Sequence, residues 1–150
     1  MFVHQILPLA RKRLTIVGVD APLHEVAKLL ALEQINLVVV CDAQGIMAGV
    51  INDSDIVHAV CSCRIGCRHA CALESGQVMT RDVVSCRTGD TLHKVWSIMK
   101  ETRLRHIPIV DDHGAPHGVL YARDILDQLY CDLQHEEKML VDYVMSVGYQ

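Results

Sequence analysis

Aromatic side chains are scarce: the 150-residue chain has one Trp, one Phe and four Tyr. Its core must therefore come from Val, Ile, Leu, Ala and Met, and stacking nucleic-acid bases on aromatic platforms is not a function this composition offers. A general basic field is missing as well. Fourteen Lys and Arg against eighteen Asp and Glu leave a formal charge of -4, and the basic residues are dispersed apart from Arg11, Lys12 and Arg13. That balance argues against a nucleic-acid partner. No apolar run reaches the roughly 18 residues of a membrane span, and Met1 to Pro8 lacks the charged start and long apolar stretch of a signal peptide. The expectation is a soluble cytoplasmic protein with no membrane partner. Enzyme signatures are absent too: there is no glycine-rich phosphate loop, no G-x-S-x-G elbow and no H-E-x-x-H pair. The nine His and eighteen acids show no convergent set, so no enzyme is expected.

What the chain does have is apolar material, 51% of its residues, enough to fold at this size into one compact domain or two small ones sharing a core. It also repeats itself. A shift of 69 residues aligns Leu14–Val57 with Val83–Leu126 without a gap. Leu23, His24, Val26, Asp42, Gly45, Gly49, Val50, Asp55 and Ile56 meet the same residue types at Leu92, His93, Val95, Asp111, Gly114, Gly118, Val119, Asp124 and Ile125. Such self-similarity decides the architecture before any single element does.

Each copy reads as a short leading strand, helix, strand, strand, helix. In the first, Asp20-Ala-Pro22 precedes Leu23, Val26, Ala27, Leu30 and Ala31, apolar at helical spacing. Leu37–Val40 is a β-branched run suited to a buried strand, Asp42–Gly45 a turn, Ile46–Ile51 a second strand, and Asp53 or Ser54 a cap for a helix from about Asp55. The second copy has Asp90 and Thr91 at its helix start, strands at His106–Val110 and Val119–Tyr121, and Asp111–Gly114 as the turn between them. One unit of about 50 residues buries too little surface to stand alone, so the two should pack as a pseudo-twofold pair. The fold class expected is α/β (α+β), two β-α-β-β-α repeats plus a C-terminal helix. The divisions are a first repeat with its N-terminal segment over 1–60, a connector over 61–77, a second repeat over 78–130, and a C-terminal amphipathic helix over 131–150. Leu126, Leu129, Leu133, Leu140, Val144 and Val147 give that last stretch an apolar stripe, for which a partner subunit is one natural cover.

The second copy, with Val78-Met-Thr-Arg-Asp-Val-Val-Ser85, Arg105-His-Ile-Pro-Ile-Val-Asp111 and Gly118-Val-Leu-Tyr-Ala-Arg-Asp-Ile125, closely resembles a cystathionine-β-synthase (CBS) domain. The first resembles one through Leu37–Val40 and Gly49-Val-Ile-Asn-Asp-Ser-Asp-Ile56. The tandem pair, a Bateman module, covers essentially the whole chain and resembles the stand-alone bacterial type. The resemblance implies a sensor or regulatory module, a homodimer of CBS pairs with a regulated protein as its partner. It implies no required cofactor but an adenosine-containing ligand such as AMP, ATP, NAD or S-adenosylmethionine.

On that resemblance Asp124 and Asp55 would accept hydrogen bonds from ribose hydroxyls. Val83 and Val84 with Ile107 and Pro108 would sandwich the adenine. Thr80, Arg105, His106 and Arg123 are candidate phosphate partners. The family pattern has Ser or Thr three residues before the Asp, where this chain has Asn52 and Tyr121. Asn can still donate a hydrogen bond, whereas Tyr is bulky enough to fill the cleft. If both clefts are closed, the alternative is a ligand-free interaction or scaffold module.

Four of the seven Cys crowd into Cys61, Cys63, Cys67 and Cys71. They could hold zinc or an iron-sulfur cluster, or form a redox switch with Arg64, Arg68 and His69 lowering thiol pKa. Yet C-x-C-x3-C-x3-C is not the paired C-x2-C arrangement. In a helix Cys63, Cys67 and Cys71 would share one face, and small apolar packing residues would look the same. Cys41, Cys86 and Cys131 read as structural, and His24 and His93 as surface residues.

Overall fold

The computed structural model describes residues 1–63, 70 and 72–148. A 3-10 turn over Val3–Ile6 leads into α1 (Leu7–Lys12), β1 (Ile16–Gly18), α2 (Leu23–Leu32), β2 (Val38–Cys41), β3 (Met47–Ile51) and α3 (Asp53–Ser62). The second half contains α4 (Ser75–Val78), α5 (Leu92–Thr102), β4 (His106–Val110), β5 (Pro116–Tyr121) and α6 (Ala122–Val147). This is the α/β repeat architecture expected from the sequence.

The repeat is preserved down to strand register. Strand β2 pairs antiparallel with β3 through Val38–Ile51, Val39–Val50 and Val40–Gly49, with an irregularity before Cys41–Met47. Strand β4 pairs with β5 through Ile107–Leu120, Pro108–Val119 and Ile109–Gly118, with its irregularity before Val110–Pro116. Every pair is displaced by 69. The connecting turns match too: Asp42 accepts from the amides of Gln44 and Ile46 at 2.9 and 3.0 Å, and Asp111 from those of His113 and Ala115 at 2.9 Å each. Both turns close through a glycine at positive φ, Gly45 and Gly114. In the second, His117 also lies 3.0 Å from Asp111 and, with the backbone donors, holds its carboxyl down to about 2.

The leading strands differ. In the first repeat β1 lies parallel to β2, and the Val39 amide donates to the Thr15 carbonyl at 2.9 Å. The equivalent of Val39 is Pro108, which has no amide hydrogen. The second leading strand is reduced to one bridge, Cys86 with Ile109, held by Cys86 N–H to Pro108 O at 3.0 Å and Val110 N–H to Cys86 O at 2.9 Å. One substitution in the repeat thus removes one rung of the ladder.

Each repeat is completed by a segment from elsewhere in the chain. Val3, Ile6 and Ala10 are buried with Leu92, Val95, Met99, Ile107, Ile109 and Ile125 of the second repeat, and the Val3 amide donates to Asp90 O at 2.9 Å. Reciprocally, Met79 is buried with Leu23, Val26, Val38 and Ile51 of the first, and the Ser75 amide donates to Ala21 O at 2.8 Å. The close approaches need glycine. A Cβ on Gly49 would sit 2.6 Å from Thr80 O, and one on Gly118 2.9 Å from the Ala10 backbone. A third cluster, with Leu37, Val39, Cys41 and Val50 on one side and Val119 and Tyr121 on the other, joins the two sheets.

The structure departs from the sequence reading at three places. Helix α3 starts at Asp53, earlier than the predicted Asp55, because Asn52 rather than Asp53 or Ser54 caps it. The C-terminal stretch is not a separate helix: α6 runs unbroken from the second repeat to Val147, no Gly or Pro intervening to stop it. Cys41 and Cys86 are buried as expected, but Cys131 is exposed on α6. Burial, aided by Asp90 and opposed by Lys94, pushes the Cys86 thiol up to about 12. His24 and His93 are exposed, as predicted. Among the described residues no helix is long and apolar enough to cross a membrane.

Candidate functional site

Seven of the residues singled out from the sequence line one cavity of about 530 Å³ between the repeats: Asn52, Thr80, Val83, Val84, Arg105, His106 and Pro108. The first repeat contributes the end of β3 and the start of α3, the second its leading segment and the start of β4. Asn52 is well suited to its place. Its side-chain oxygen accepts from the Asp55 amide at 3.0 Å, while the Asp55 carboxylate accepts from the Asn52 amide at 3.0 Å. This reciprocal cap satisfies two donors at the start of the helix. The second Asp55 oxygen accepts from the Thr80 hydroxyl at 3.2 Å, which ties the second repeat's leading segment to the start of α3.

The apolar wall comes from Val50, Val83, Val84 and Pro108. Pro108 has a second effect. The Val84 carbonyl occupies the place of the Thr15 carbonyl in the first repeat but has no amide facing it, and among the described residues no other backbone group donates to it. An acceptor beside an apolar slot is the pairing that can read the amino edge of a purine. Basic side chains come from Arg103 and Arg105, acids from Asp53 and Asp82. Burial, then the nearby Arg105, lowers the His106 pKa against the opposing effect of Asp53, so the imidazole is neutral at neutral pH.

The position three residues before Asp124 behaves differently. Tyr121 is 4% exposed; its hydroxyl accepts from the Asn36 amide at 3.1 Å, and its ring meets His106 edge-on at 4.5 Å. Arg13, at the end of α1, lies 4.5 Å above that ring and reaches Asp124 at 3.4 Å. Arg123 lies 3.9 Å from the same Asp124 oxygen, and the Asp124 side chain is only 9% exposed. Tyrosine and arginine therefore fill the space over Asp124. Tyr121 makes no side-chain cap bond to α6, in contrast to Asn52 on α3.

Five residues expected at one site lie elsewhere. Ile107 does not reach a cleft: alternation along β4 turns it into the second core at 0% exposure while Pro108 faces the cavity. Asp124 is not grouped with Val83, Val84 and Pro108; that wall faces Asn52, because the second repeat's leading segment crosses to the first repeat at Thr80–Val50. Tyr121 and Arg123 line a different, larger cavity of about 980 Å³. Asp55 lines a third, of about 560 Å³, with His58 and Cys63.

Sequence reasoning also missed residues. Arg13 was visible only as part of a basic triplet, and its role depends on α1 packing on β5, which no local pattern reveals. Arg103 lines both larger cavities from a left-handed position, φ 58, at the end of α5. Gln34, its equivalent 69 residues earlier, has φ 54 just after α2; the shared geometry marks it as a feature of the repeat. Of the cysteine cluster, Cys61 is exposed and Cys63 half-buried, while Cys67 and Cys71, with the shared-face reading, lie outside the described residues. Among the described residues no three His, Cys, Asp or Glu gather as metal ligands.

Two sheets of identical register, each completed by the other's leader and enclosing clefts at the start of α3 and α6, define a tandem α/β module. A family model described as the CBS domain matches residues 3–62 and 76–130, and the chain belongs to the CBS-domain family. Among solved structures, it is similar to a CBS-domain protein, ATU1752 of Agrobacterium tumefaciens, at 29% identity and TM-score 0.73, covering 85% of this chain and 98% of that one. The fold also matches CBSX2 in complex with AMP, at 21% identity and TM-score 0.73 over 90% and 98% of the two chains. A third match is the CBS pair of MJ0100 in complex with 5'-methylthioadenosine and S-adenosyl-L-methionine, at 21% identity and TM-score 0.71 over 88% and 97%. Among curated relatives, an inosine-5'-monophosphate dehydrogenase of Nitrosopumilus maritimus is 28% identical over 62% of this chain, and the match spans only 17% of that protein.

Proposed function

We propose that this chain is a regulatory CBS pair that binds an adenosine-containing ligand in the Asn52 cleft. One observation carries the reading: a cavity of about 530 Å³ brings together an apolar slot, the Val84 carbonyl without a ladder donor, a capped helix start and two arginines. The volume lies within the range of small-molecule sites. Adenine lies between Val83, Val84 and Pro108 with its amino group donating to Val84 O. The ribose lies beside Asn52 and Thr80, which line the cleft, and phosphate meets Arg105 and Arg103. The AMP, S-adenosylmethionine and methylthioadenosine complexes of the structural neighbours support this ligand class. The module acts on a regulated partner, and as a cytoplasmic homodimer, by favouring one packing of its repeats when the ligand is bound.

Calorimetric titration with AMP, ATP, NADH and S-adenosylmethionine tests the reading. At least one should bind with a Kd in the micromolar range, about -8 kcal/mol; absence of heat with all four overturns it. A second reading, an interaction module without ligand, is favoured by the Asp124 side alone, where Arg13 stacks on Tyr121 and already pairs with Asp124.

A further inference from the structure

Helix α6 outruns the domain it belongs to. Ile125 anchors it in the second core, but from Leu133 to Gly148 every residue is exposed. The free part, Tyr130–Val147, is about 27 Å long, and a helix of that length has little stability of its own in water. Its uncovered side is patterned. Leu126, Leu133, Leu140 and Val147 recur every seven residues, with Tyr130 and Val144 on the same seam between them. Tyr130, Leu133, Leu140 and Val144 are 62%, 63%, 65% and 65% exposed. Spacing that alternates four and three is the seam of a coiled coil, narrower than the stripe a helix turns to a globular core. Val141 and Tyr143 widen it towards the C-terminal end. Glu137 is the one polar residue on the seam, and a single polar seam position sets register and the number of strands. Its carboxylate reaches solvent at the edge of a helix pair but not inside a closed bundle.

We propose that the free part of α6 is a self-association surface whose occupant is the same helix of a second copy, running antiparallel. This rests on the homodimer reading and not on ligand binding, since the seam lies outside the Asn52 cleft. The helix does not cover itself: no Gly or Pro between Ala122 and Val147 lets it fold back. A membrane surface is a poor match, because the free part carries Asp132, Glu136, Glu137 and Asp142 against Lys138 alone, where interfacial helices are rich in Lys and Arg. In the antiparallel pair Tyr130 meets Val147 of the second copy, Leu133 meets Val144 and Glu137 meets Leu140, and symmetry repeats each contact. The overlap is then the free part and no more, with the folded bodies at opposite ends. Parallel helices would set Glu137 against Glu137 in one layer and crowd both bodies together. The exposed apolar side chains of the overlap, at roughly 80 Å² each, offer on the order of 600 Å² per chain. With the polar flanks added, that approaches the about 800 Å² per partner of a standard interface.

The test is sedimentation equilibrium of the full chain, without ligand and at micromolar concentration, beside Leu133→Asp/Leu140→Asp and Glu137→Leu. All three side chains are exposed, so the variants should keep the folded repeats, as thermal unfolding would verify. The double variant should show half the mass of the wild-type assembly, and Glu137→Leu should tighten association at least about tenfold. After oxidation, a mixture of Tyr130→Cys and Val147→Cys chains should yield a disulfide joining positions 130 and 147, identified by peptide mass. An assembly whose mass the double variant leaves unchanged overturns the surface while leaving a homodimer through another face. A monomeric wild type overturns both. A disulfide joining position 147 to itself in the two copies, in place of 130 to 147, overturns the antiparallel order.

Discussion

The starts of α3 and α6 are built on the same backbone and end in opposite states. Both follow an antiparallel strand pair of the same register, and both carry an Asp three residues into the motif, Asp55 and Asp124. At the first, Asn52 turns inward to cap its helix and leaves room between the repeats. At the second, Tyr121 projects across the space and Arg13 covers it, pairing with the carboxylate that would otherwise meet a ligand. Duplication thus fixed the scaffold, while side chains at one position, with an arginine delivered by α1, decided which Asp is paired and covered. A motif can be kept in sequence after its surroundings have given it another job.

The largest effect should come from making the first cleft resemble the second. Asn52→Tyr should weaken nucleotide binding on the order of 100-fold, or about 2.7 kcal/mol. Helix α3 should lose about 1 kcal/mol of cap stability, because the reciprocal bonds with Asp55 go. Thermal unfolding separates the two effects, and binding that survives in a folded variant would break the comparison. A smaller change is expected from Pro108→Val, which makes the second repeat's ladder like the first. The amide it introduces should bond to Val84 O, remove the acceptor from the cleft and weaken adenine binding by about fivefold, in line with a net hydrogen bond of about 1 kcal/mol. Hydrogen exchange of that new amide should be slow, as expected of a ladder bond. Undiminished affinity with the bond formed would show that Val84 does not read the base.

The repeated fold was legible in the sequence because nine identities at one offset carry its turns and core faces, and the strand registers obey that offset. The site was legible in composition but not in grouping. Thr80, Val83, Val84 and Pro108 could be named from the motif, yet their meeting Asn52 rather than Asp124 depends on the second leading segment crossing to β3. Local periodicity does not report such crossings. Tyr121 was recognisable as too large for its place; Arg13 was visible only in a basic triplet and its role was not, since it meets Asp124 across 111 residues of sequence. Ile107 failed for a simpler reason: adjacent strand residues face opposite sides, and the choice of Pro108 for the cleft excludes its neighbour.

The asymmetry of the clefts is tested most directly by a crystal structure of the chain with ATP. Density for one adenine between Val84 and Pro108 is predicted, with Arg13 still on Asp124 and Tyr121 still bonded to the Asn36 amide. An adenine over Asp124 with Arg13 and Tyr121 displaced, or two nucleotides per chain, would contradict it.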